Sequence, residues 1–480
     1  MITADRMAAV DANAAALGVS RKQLMESSGN AVARVVRSTV DPGSRVVLVC
    51  GRGNNGGDAF VAARFLGDYD VEVALLGRPD AIGTDIAREN WDALQAAELS
   101  TTTVTDTTAI DDLDLEAADC IVDAMLGTGV TGALREPAAS AAHAINATET
   151  TVVAVDVPSG IDADTGDAAG VAVDADHVVT FHDTTPGLES LDTPVTVADI
   201  GIPDAAERFV GPGDFQDRRR AAESHKGDHG ELLVIGGGPY TGAPALSAQA
   251  ALRAGADLVH VACPESVAAR IQGYSENLIV HPFEGDRLTP AAVEDVLGLA
   301  SGMDAVIVGP GLGSHEGTLA AVESVLGAYT GRAVVDADAL SVVPDIESNA
   351  ELICTPHQGE LLKMGGETAD DWKQRAELVD GFAADLGHTL LVKGADDVIA
   401  DGEETRVSRT GNPGMTVGGT GDVLAGVVGA LCTGRDPRDA AAVGAYINGR
   451  AGDLAFDEQG YGLVATDLIE RLPEAFATDE

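Results

Sequence analysis

The sequence of 480 residues has little lysine and few aromatic side chains. Aromatic residues make up 4% of the chain, and its five lysines stand against 77 aspartates and glutamates and a net charge of −47. Such a negative surface repels nucleic acid and anionic lipid, which argues against both as partners. The acidic residues are scattered along the whole chain, so we expect an evenly solvated acidic surface, typical of a salt-loving source.

Closely spaced cysteines and long apolar runs are also absent. The five cysteines are far apart and form no C-x-x-C pair, so we expect neither a disulfide framework nor a zinc site. The longest apolar stretch, residues 423–432, is too short to span a bilayer, and the first residues contain no signal-peptide core. We therefore expect a cytoplasmic protein without membrane partners, and assembly into homo-oligomers stays open.

Two domains are predicted, because the chain is too long for one ordinary core. In both halves, short apolar runs alternate with alanine-rich helical text, which predicts parallel sheets covered by helices. The predicted strands are 45–50, 71–76, 120–123, 152–156, 177–181, 195–199, 231–236, 258–261, 305–308, 333–336, 352–354 and 389–392. Glycine, proline and charge from residue 211 onward, including Arg218 to Arg220, predict a linker. We place the domains at 1–213 and 223–480, with the boundary near residue 215.

A glycine-rich loop follows the first predicted strand. Residues 51–58 read GRGNNGGD, lead into a helical segment predicted from Ala59, and formally match the dinucleotide-binding fingerprint. Asp58 at the helix N-terminus would compete with a bound pyrophosphate, which argues against an ordinary Rossmann cofactor site.

Two later strands each end in an aspartate that is soon followed by glycine. Asp123 precedes LGTG at 126–129, and Asp156 precedes PSG at 158–160. Asn55, Asp123 and Ser159 are then expected at the carboxyl edge of one sheet, where their oxygens, with one carboxylate, suit a hard cation of low charge. The alternative for each residue is a simple helix cap.

These motifs resemble the NAD(P)H-hydrate epimerase family over nearly all of residues 1–213. The resemblance implies a potassium ion held by Asn55, Asp123 and Ser159, and proton transfer by Asp156. It implies that the hydrated dinucleotide contacts Asn54, Asn55, Gly56, Gly57, Asp58, Gly127, Thr128, Gly129, Val130, Thr131, Gly132 and Asp156. The family's Lys-Pro-Gly is replaced here by Thr185-Pro186-Gly187, so the lysine is absent and the resemblance does not imply its contact to the substrate for this chain.

A second glycine-rich turn precedes an apolar helix in the second half. Residues 412–422 read NPGMTVGGTGD, and the backbone N–H groups at such a helix start would stabilise phosphate charge. Asp422 is suited to act there as the general base for a hydroxyl that attacks a phosphate. No Walker A motif occurs, and the alternative is a helix cap with glycines for tight packing.

The second half resembles the ribokinase-like fold and, within it, the NAD(P)H-hydrate dehydratases, over residues 223–475. The motifs that carry the resemblance are at 225–230, 240–244, 308–313, 355–360, 392–397 and 412–422. The resemblance implies that the hydrate binds to Ala243, Gly311, His357 and Asp422. It implies that Mg²⁺ and a nucleotide, ADP rather than ATP, bind near Lys393, Gly394, Ala395, Asp396, Asp397 and Gly421. Taken alone, His357 is more often a structural histidine, and Lys393 is consistent with a solvated charge.

The chain is thus predicted to be an α/β enzyme with an N-terminal Rossmann-like doubly wound sheet and a C-terminal ribokinase-like domain. Its predicted function is repair of the hydrated dinucleotides NADHX and NADPHX, by epimerisation of the R and S forms and nucleotide-dependent dehydration of the S form. The alternative is a ribokinase-type kinase of a vitamin precursor or sugar, with a non-catalytic N-terminal binding domain.

Overall fold

The computed structural model describes residues 1–129, 131–215 and 223–477. The chain divides into two compact units, Met1–Ala206 and Glu207–Glu480. No helix in the described part of the chain is long and apolar enough to cross a membrane.

Seven parallel strands form the sheet of the first unit. They are β1 (Arg45–Cys50), β2 (Asp70–Leu76), β3 (Ser100–Val104), β4 (Cys120–Ala124), β5 (Thr151–Val155), β6 (His177–Phe181) and β7 (Val195–Ala198). Their order in the sheet is β3-β2-β1-β4-β5-β6-β7, all parallel. The order reverses between β1 and β4, and ligands of doubly wound folds bind at the carboxyl ends of strands beside such a reversal.

The helices of this unit pack on both faces of the sheet and in a smaller core beside it. They are α1 (Ala4–Ala16), α2 (Arg21–Thr39), α3 (Asn54–Phe65), α4 (Asp85–Ala96), α5 (Ala138–Asn146), α6 (Pro186–Glu189) and α7 (Asp204–Arg208). Neighbouring side chains of a strand point to opposite faces. Val46 and Leu48 of β1 therefore lie in one core and Val47 and Val49 in the other, which explains the unbroken apolar run.

Nine strands form the sheet of the second unit. They are β8 (Glu231–Ile235), β9 (Leu258–Pro264), β10 (Ile279–Phe283), β11 (Ala305–Val308), β12 (Arg332–Val335), β13 (Glu351–Cys354), β14 (Thr389–Val392), β15 (Asp397–Ala400) and β16 (Thr405–Ser408). Their order is β10-β9-β8-β11-β12-β13-β14-β15-β16, and only the β14-β15-β16 pairs are antiparallel. The order reverses between β8 and β11.

The helices of the second unit pack on both faces of its sheet. They are α8 (Gly242–Arg253), α9 (Glu265–Gln272), α10 (Val293–Ala300), α11 (Glu316–Ala328), α12 (Gln358–Lys363), α13 (Trp372–Leu386), α14 (Thr420–Cys432), α15 (Pro437–Gln459) and α16 (Ala465–Ala475). Every residue of α14 from Val423 to Cys432 is buried, so this helix belongs to the core and its start has a fixed position.

The twelve predicted strands are all present, and β3, β10, β15 and β16 were not predicted. The sequence of β3, Ser-Thr-Thr-Thr-Val, is polar because β3 is an edge strand of its sheet. β10 is an edge strand of the other sheet and contains Pro282. The predicted start of α3 at Ala59 was wrong: the helix begins at Asn54. The two asparagines and two glycines form its first turn, so Asp58 is not at the helix N-terminus.

The units divide earlier than the predicted boundary near residue 215, because residues 207–215, which we call the strap, pack on the second unit. Phe209 pairs with Val407 of β16 in a parallel bridge, and the backbone N of Val210 donates to Val407 O at 2.9 Å. Phe215 is only 2% exposed, and its ring centre lies 5.5 Å from that of Tyr446. The strap thereby covers the exposed edge of the sheet. Arg218 to Arg220 lie outside the described residues.

A buried ion pair fastens the strap. Arg406 Nη2 of β16 lies 2.8 Å from Asp214 Oδ1, with the two side chains 4% and 7% exposed. Arg435 Nη1 also donates to the backbone oxygen of Asp214 at 3.1 Å. Removing one partner of a buried pair leaves the other charge desolvated, which costs much more than the pair itself contributes.

We expect Asp214→Ala to lower the free energy of unfolding of the second unit by about 3–5 kcal/mol, measured by calorimetry. The matched control is Asp286→Ala, because Asp286 forms an exposed ion pair with Arg287 and its loss should have no measurable effect. Equal effects of the two variants would contradict a fastened strap.

Candidate active sites

The carboxyl ends of β1, β4 and β5 meet around Leu126, as the sequence predicted for Asn55, Asp123 and Ser159. Ser159 donates to both carboxyl oxygens of Asp123, from Oγ to Oδ1 at 2.7 Å and from its backbone N to Oδ2 at 2.8 Å. Asn55 Nδ2 donates to Leu126 O at 2.8 Å, and Leu126 N donates to Ser159 Oγ at 3.0 Å. Among the described residues, the buried Asn55 Oδ1 has no hydrogen-bond partner.

This cluster has the donor set of a cation site. Asp123 is completely buried, and this burial raises the pKa of its carboxyl to about 6, although hydrogen bonds from Ser159 and Met125 oppose the shift. An unpartnered amide oxygen, a hydroxyl and a single buried carboxylate together suit a hard cation of low charge.

Asp156 lies beside the cluster in a strained backbone conformation. Its φ is +70°, a left-handed conformation that is rare for a residue other than glycine. Thr128 N donates to Asp156 Oδ2 at 2.9 Å. Burial raises the pKa of Asp156, and the hydrogen bonds from Thr128 only partly offset it. A Cβ on Gly127 would lie 2.7 Å from Asp156 Oδ2, so only glycine allows this approach.

Asp58 points away from the helix N-terminus, toward α2. Its Oδ1 accepts a hydrogen bond from Ser28, and burial raises its pKa, with the charges of Asp156 and Asp11 adding to the shift. Burial also raises the pKa of Asp11, which α1 brings to this group of acids. Neither Ser28 nor Asp11 had a predicted role, and α1 was not predicted.

The remaining residues predicted for the first site lie around this edge. Asn54 is exposed and accepts from Thr84 Oγ1 at 2.8 Å, while Gly56 and Gly57 are buried in the first turns of α3. The loop after β4 exposes Gly129, Thr131 and Gly132, and Val130 lies outside the described residues.

The loop after β4 can pass β1 because Gly51 has no side chain: a Cβ there would lie 1.8 Å from Met125 O. Thr185, at the position of the missing lysine, is 3% exposed.

The second candidate site is built at the start of α14. The helix begins at Thr420, after Gly419 with φ +100°, and Asp422 lies in its first turn. Burial raises the pKa of Asp422 to about 7, and the charge of Asp336 adds to the shift while Lys393 opposes it. This carboxyl can therefore bind or release a proton near neutral pH.

Lys393, at the end of β14, brings a positive charge to the same point. Its Nζ lies 3.0 Å from Asp336 Oδ1 and 3.9 Å from Glu360 Oε2. It also lies close to Gly421, where an added Cβ would be 3.4 Å from Nζ. Burial lowers the pKa of Lys393, but Asp336 and Glu360 outweigh it and raise the pKa overall. Asp336 is 3% exposed and also accepts from Thr355 Oγ1 at 2.8 Å.

The turn predicted to bind the nucleotide, residues 393–397, which we call the nucleotide turn, is held by its own aspartates. Gly394 N donates to Asp397 Oδ1 at 2.8 Å, and burial raises the pKa of Asp397 to about 7. Arg409 Nε lies 3.0 Å from Asp396 Oδ1, and Arg375 Nη2 donates to Asp396 O at 3.1 Å. Gly394 and Ala395 are exposed.

His357 caps α12. Its Nδ1 accepts from the backbone N of Glu360 at 3.1 Å, and a parallel bridge places it beside Lys393, with its side chain 58% exposed. Gly311 has a φ of +73°, and a Cβ at this position would lie 2.4 Å from the backbone oxygen of Tyr240. Tyr240 lies just before α8, whose second residue is Ala243. Gly309, Asp336, His357 and Lys393 all follow strands at the same edge of the sheet. Asp336 and Glu360 had no predicted role, and their pairing with a lysine that lies elsewhere in the sequence could not be seen in the sequence.

No group of three or more histidine, cysteine, aspartate or glutamate side chains in the described part of the chain is arranged as a metal site.

Comparison with known proteins decides the family. A family described as NAD(P)H-hydrate dehydratase matches residues 232–474, and one described as YjeF-related protein N-terminus matches residues 21–187. The bifunctional NAD(P)H-hydrate repair enzyme Nnr of Methanothermobacter thermautotrophicus is 43% identical over 490 residues, covering 97% of this chain and 93% of its own length. The enzyme of the same name from Archaeoglobus fulgidus is 41% identical over 478 residues, covering 99% and 98%.

The chain belongs to the family of bifunctional NAD(P)H-hydrate repair enzymes. Among solved structures, the hypothetical protein SMU.573 of Streptococcus mutans matches with a TM-score of 0.50 and 21% identity, covering 56% of this chain and 98% of its own. That likeness concerns the fold alone. The predicted fold class, a Rossmann-like sheet followed by a ribokinase-like domain, is confirmed, as is the predicted family.

The charges of the second site predict opposite effects of two substitutions on the pKa of Asp422. Lys393→Met should raise that pKa above about 7, because Lys393 is the charge that lowers it. Asp336→Asn should lower it, because Asp336 raises it. Carboxyl ¹³C NMR titration measures both shifts.

The matched control is Lys373→Met, because the Lys373 ammonium lies over Trp372 and not in this cluster. Shifts of the same sign in the two test variants would contradict the arrangement.

Proposed function

We propose that this chain repairs hydrated nicotinamide dinucleotides, with epimerisation of the R and S forms in the first unit and nucleotide-dependent dehydration of the S form in the second. The observation that carries the proposal is that each unit holds a carboxyl with a raised pKa at the carboxyl edge of its sheet. These carboxyls are Asp156 and Asp422, in the motifs typical of the family.

For dehydration, we assign Asp422 as the general base. With a pKa of about 7, it accepts the proton of the hydrate's hydroxyl while the oxygen bonds to the terminal phosphorus of ADP and the bond to the departing AMP breaks. Lys393 and the N–H groups at the start of α14 stabilise the transferred phosphoryl group. The C–O bond then breaks with its electron pair leaving on phosphate, and loss of a proton from the neighbouring carbon restores the ring double bond.

The other residues of the second site would hold the two ligands. Ala243, Gly311 and His357 are proposed to contact the hydrate, and the nucleotide turn with Gly421 to bind the nucleotide. Mg²⁺ bound together with the nucleotide would neutralise charge on its phosphates. ADP is the proposed phosphoryl donor, and the assay described below compares dehydration rates with ADP and with ATP.

For epimerisation, we assign Asp156 to proton transfer at the hydrated nicotinamide. Its raised pKa and its position beside the loop after β4 support this role. Residues 54–58 and 127–132 would surround the dinucleotide. K⁺ bound by Asn55, Asp123 and Ser159 would fix the ends of β1, β4 and β5 relative to one another, and the unpartnered Asn55 Oδ1 supports this assignment.

The test is recovery of absorbance at the reduced-nicotinamide band. Purified protein is mixed with Mg²⁺, ADP or ATP, and either the S-form or the R-form hydrate. Recovery from the S form with a nucleotide, and from the R form faster than spontaneous epimerisation, is the expected result. Nucleotide consumption with release of a phosphorylated alcohol, and no recovery, would instead identify a small-molecule kinase.

In the same assay, Asp422→Asn should lower dehydration of the S form by about 100-fold or more, because the base is lost, while leaving epimerisation intact. Asp156→Asn should have the opposite effect, so each variant is the control of the other. The wild-type kcat for dehydration should rise with pH through about 7 and then level off, because only the deprotonated Asp422 accepts a proton. Full dehydratase turnover by Asp422→Asn would remove Asp422 from this role.

K⁺ should stabilise the first unit, and more at pH 8 than at pH 5, because a cation and a proton compete for Asp123. Without a cation, the raised pKa means that protonation of Asp123 stabilises the folded state. This stabilisation is complete at pH values below the ordinary pKa of the group, and it is lost as the pH rises through about 6. The unfolding temperature in KCl is compared with that in choline chloride at equal ionic strength.

Ser159→Ala should abolish the K⁺ response. Ser190→Ala is its control, because that hydroxyl donates to Gly187 O at 2.7 Å, outside the site. An unchanged K⁺ response in Ser159→Ala would rule out this cation site.

A further inference from the structure

The strap reaches the nucleotide turn through a stack of side chains. The guanidinium carbon of Arg409 lies 3.6 Å from the ring centre of Phe209 and 5.1 Å from that of Trp372. The Phe209 and Trp372 rings lie 5.6 Å apart at 58°. Arg409 is thus held against two aromatic rings, one from the strap and one from the first residue of α13.

The stacked arginine in turn holds the nucleotide turn. Arg409 Nε lies 3.0 Å from Asp396 Oδ1, and the two side chains are 46% and 27% exposed. From the other side, Arg375 of α13, only 4% exposed, donates to Asp396 O at 3.1 Å and to Ala369 O at 3.0 Å. One residue of the turn is therefore fixed by two arginines, and one of these depends on the strap for its position.

We infer that Phe209 and Arg409 are positioning residues for nucleotide binding, so that the segment joining the two units is also part of the dehydratase nucleotide site. The inference rests on the proposed function, in which residues 393–397 bind the nucleotide. It adds a role for the strap, whose residues from 211 onward were predicted only as a linker.

Charge explains why the turn needs this arginine. An anionic nucleotide must approach a turn that carries Asp396 and Asp397 in a chain of net charge −47. The ion pair with Arg409 neutralises Asp396 and turns its carboxylate toward β16. An arginine stacked on aromatic rings loses little further freedom when it forms such a pair, because its planar group is already oriented.

The strap is anchored to the second unit at several points, so the stack of Phe209, Arg409 and Trp372 forms on a fixed backbone. The bridge between Phe209 and Val407 fixes its backbone at the stack, and the buried pair of Asp214 and Arg406 and the burial of Phe215 fix it on the C-terminal side. A rigid strap can therefore impose its geometry on Arg409 and, through it, on Asp396.

The experiment measures the Kd of the full-length protein for ADP by calorimetry, together with kcat and the KM values for ADP and for the S-form hydrate. Loss of one stacked cation and one partly exposed ion pair predicts a rise in Kd of about threefold to tenfold for Arg409→Ala. Phe209→Ala should also raise both the Kd and the KM for ADP. It should leave unchanged kcat at saturating ADP, the KM for the hydrate and the epimerisation rate. The double variant should bind ADP no more weakly than Arg409→Ala, because both act through one contact.

Two further variants separate positioning from general stability. Phe209→Tyr keeps the ring and should restore wild-type ADP binding. Arg438→Ala is the matched control, because Arg438 pairs with Asp401 at 2.9 Å and Glu404 at 3.3 Å at the far end of the same β15–β16 hairpin, and it should leave the Kd unchanged.

Wild-type ADP binding by both Phe209→Ala and Arg409→Ala would overturn the inference, and so would an equal loss in Arg438→Ala or an equal rise in the KM for the hydrate. Should Phe209→Ala fail to fold, Phe209→Leu and Arg409→Lys, which keep bulk or charge without the stack, decide the question in the same way. Failure of the proposed function looks different: the wild-type protein itself would then neither bind ADP nor recover the S-form hydrate.

Discussion

Carboxyl groups buried at the carboxyl ends of parallel strands are the constraint around which both units are arranged. A carboxylate removed from water must find hydrogen-bond donors or a cation, or it takes up a proton. Asp123 has the N–H and hydroxyl of Ser159, and Asp336 has Lys393. Burial raises the pKa of Asp123 to about 6 despite these donors, and it raises the pKa values of Asp156 and Asp422 as well. Asp123 and Asp336 hold the loops around them in place, while Asp156 and Asp422 are the acids to which we assign proton transfer.

The two units meet this constraint with different means. In the first unit, the donors are neutral, and the amide oxygen of Asn55 remains without a partner among the described residues, which supports the proposed cation site. In the second unit, the cation is a side chain: Lys393 lies between Asp336 and the start of α14 and lowers the pKa of Asp422 that burial raises. A chain with five lysines has placed one of them where phosphate charge is expected.

The strap extends the second site beyond the strands that carry its motifs. Its backbone pairs with β16, its Asp214 pairs with the buried Arg406, and its Phe209 stacks on Arg409. An edge strand that would otherwise be open is covered by the segment that arrives from the first unit. The same contacts connect the junction of the two units to the turn that carries Asp396.

The sequence by itself determined the alternation of strands and helices, the family, and the residues of the glycine-rich turns. Those features depend on local text: apolar runs buried on both faces, and glycines where chains approach closely, as at Gly51 and Gly127. It did not show the polar edge strand β3, the hairpin of β15 and β16, or the true start of α3, because packing overrides weak local preferences there. Only the tertiary structure decided which charges meet. Asp336 and Lys393 are 57 residues apart, and Asp214 and Arg406 are 192 apart, so the pKa of Asp422 and the role of the strap follow from pairings that no local pattern encodes.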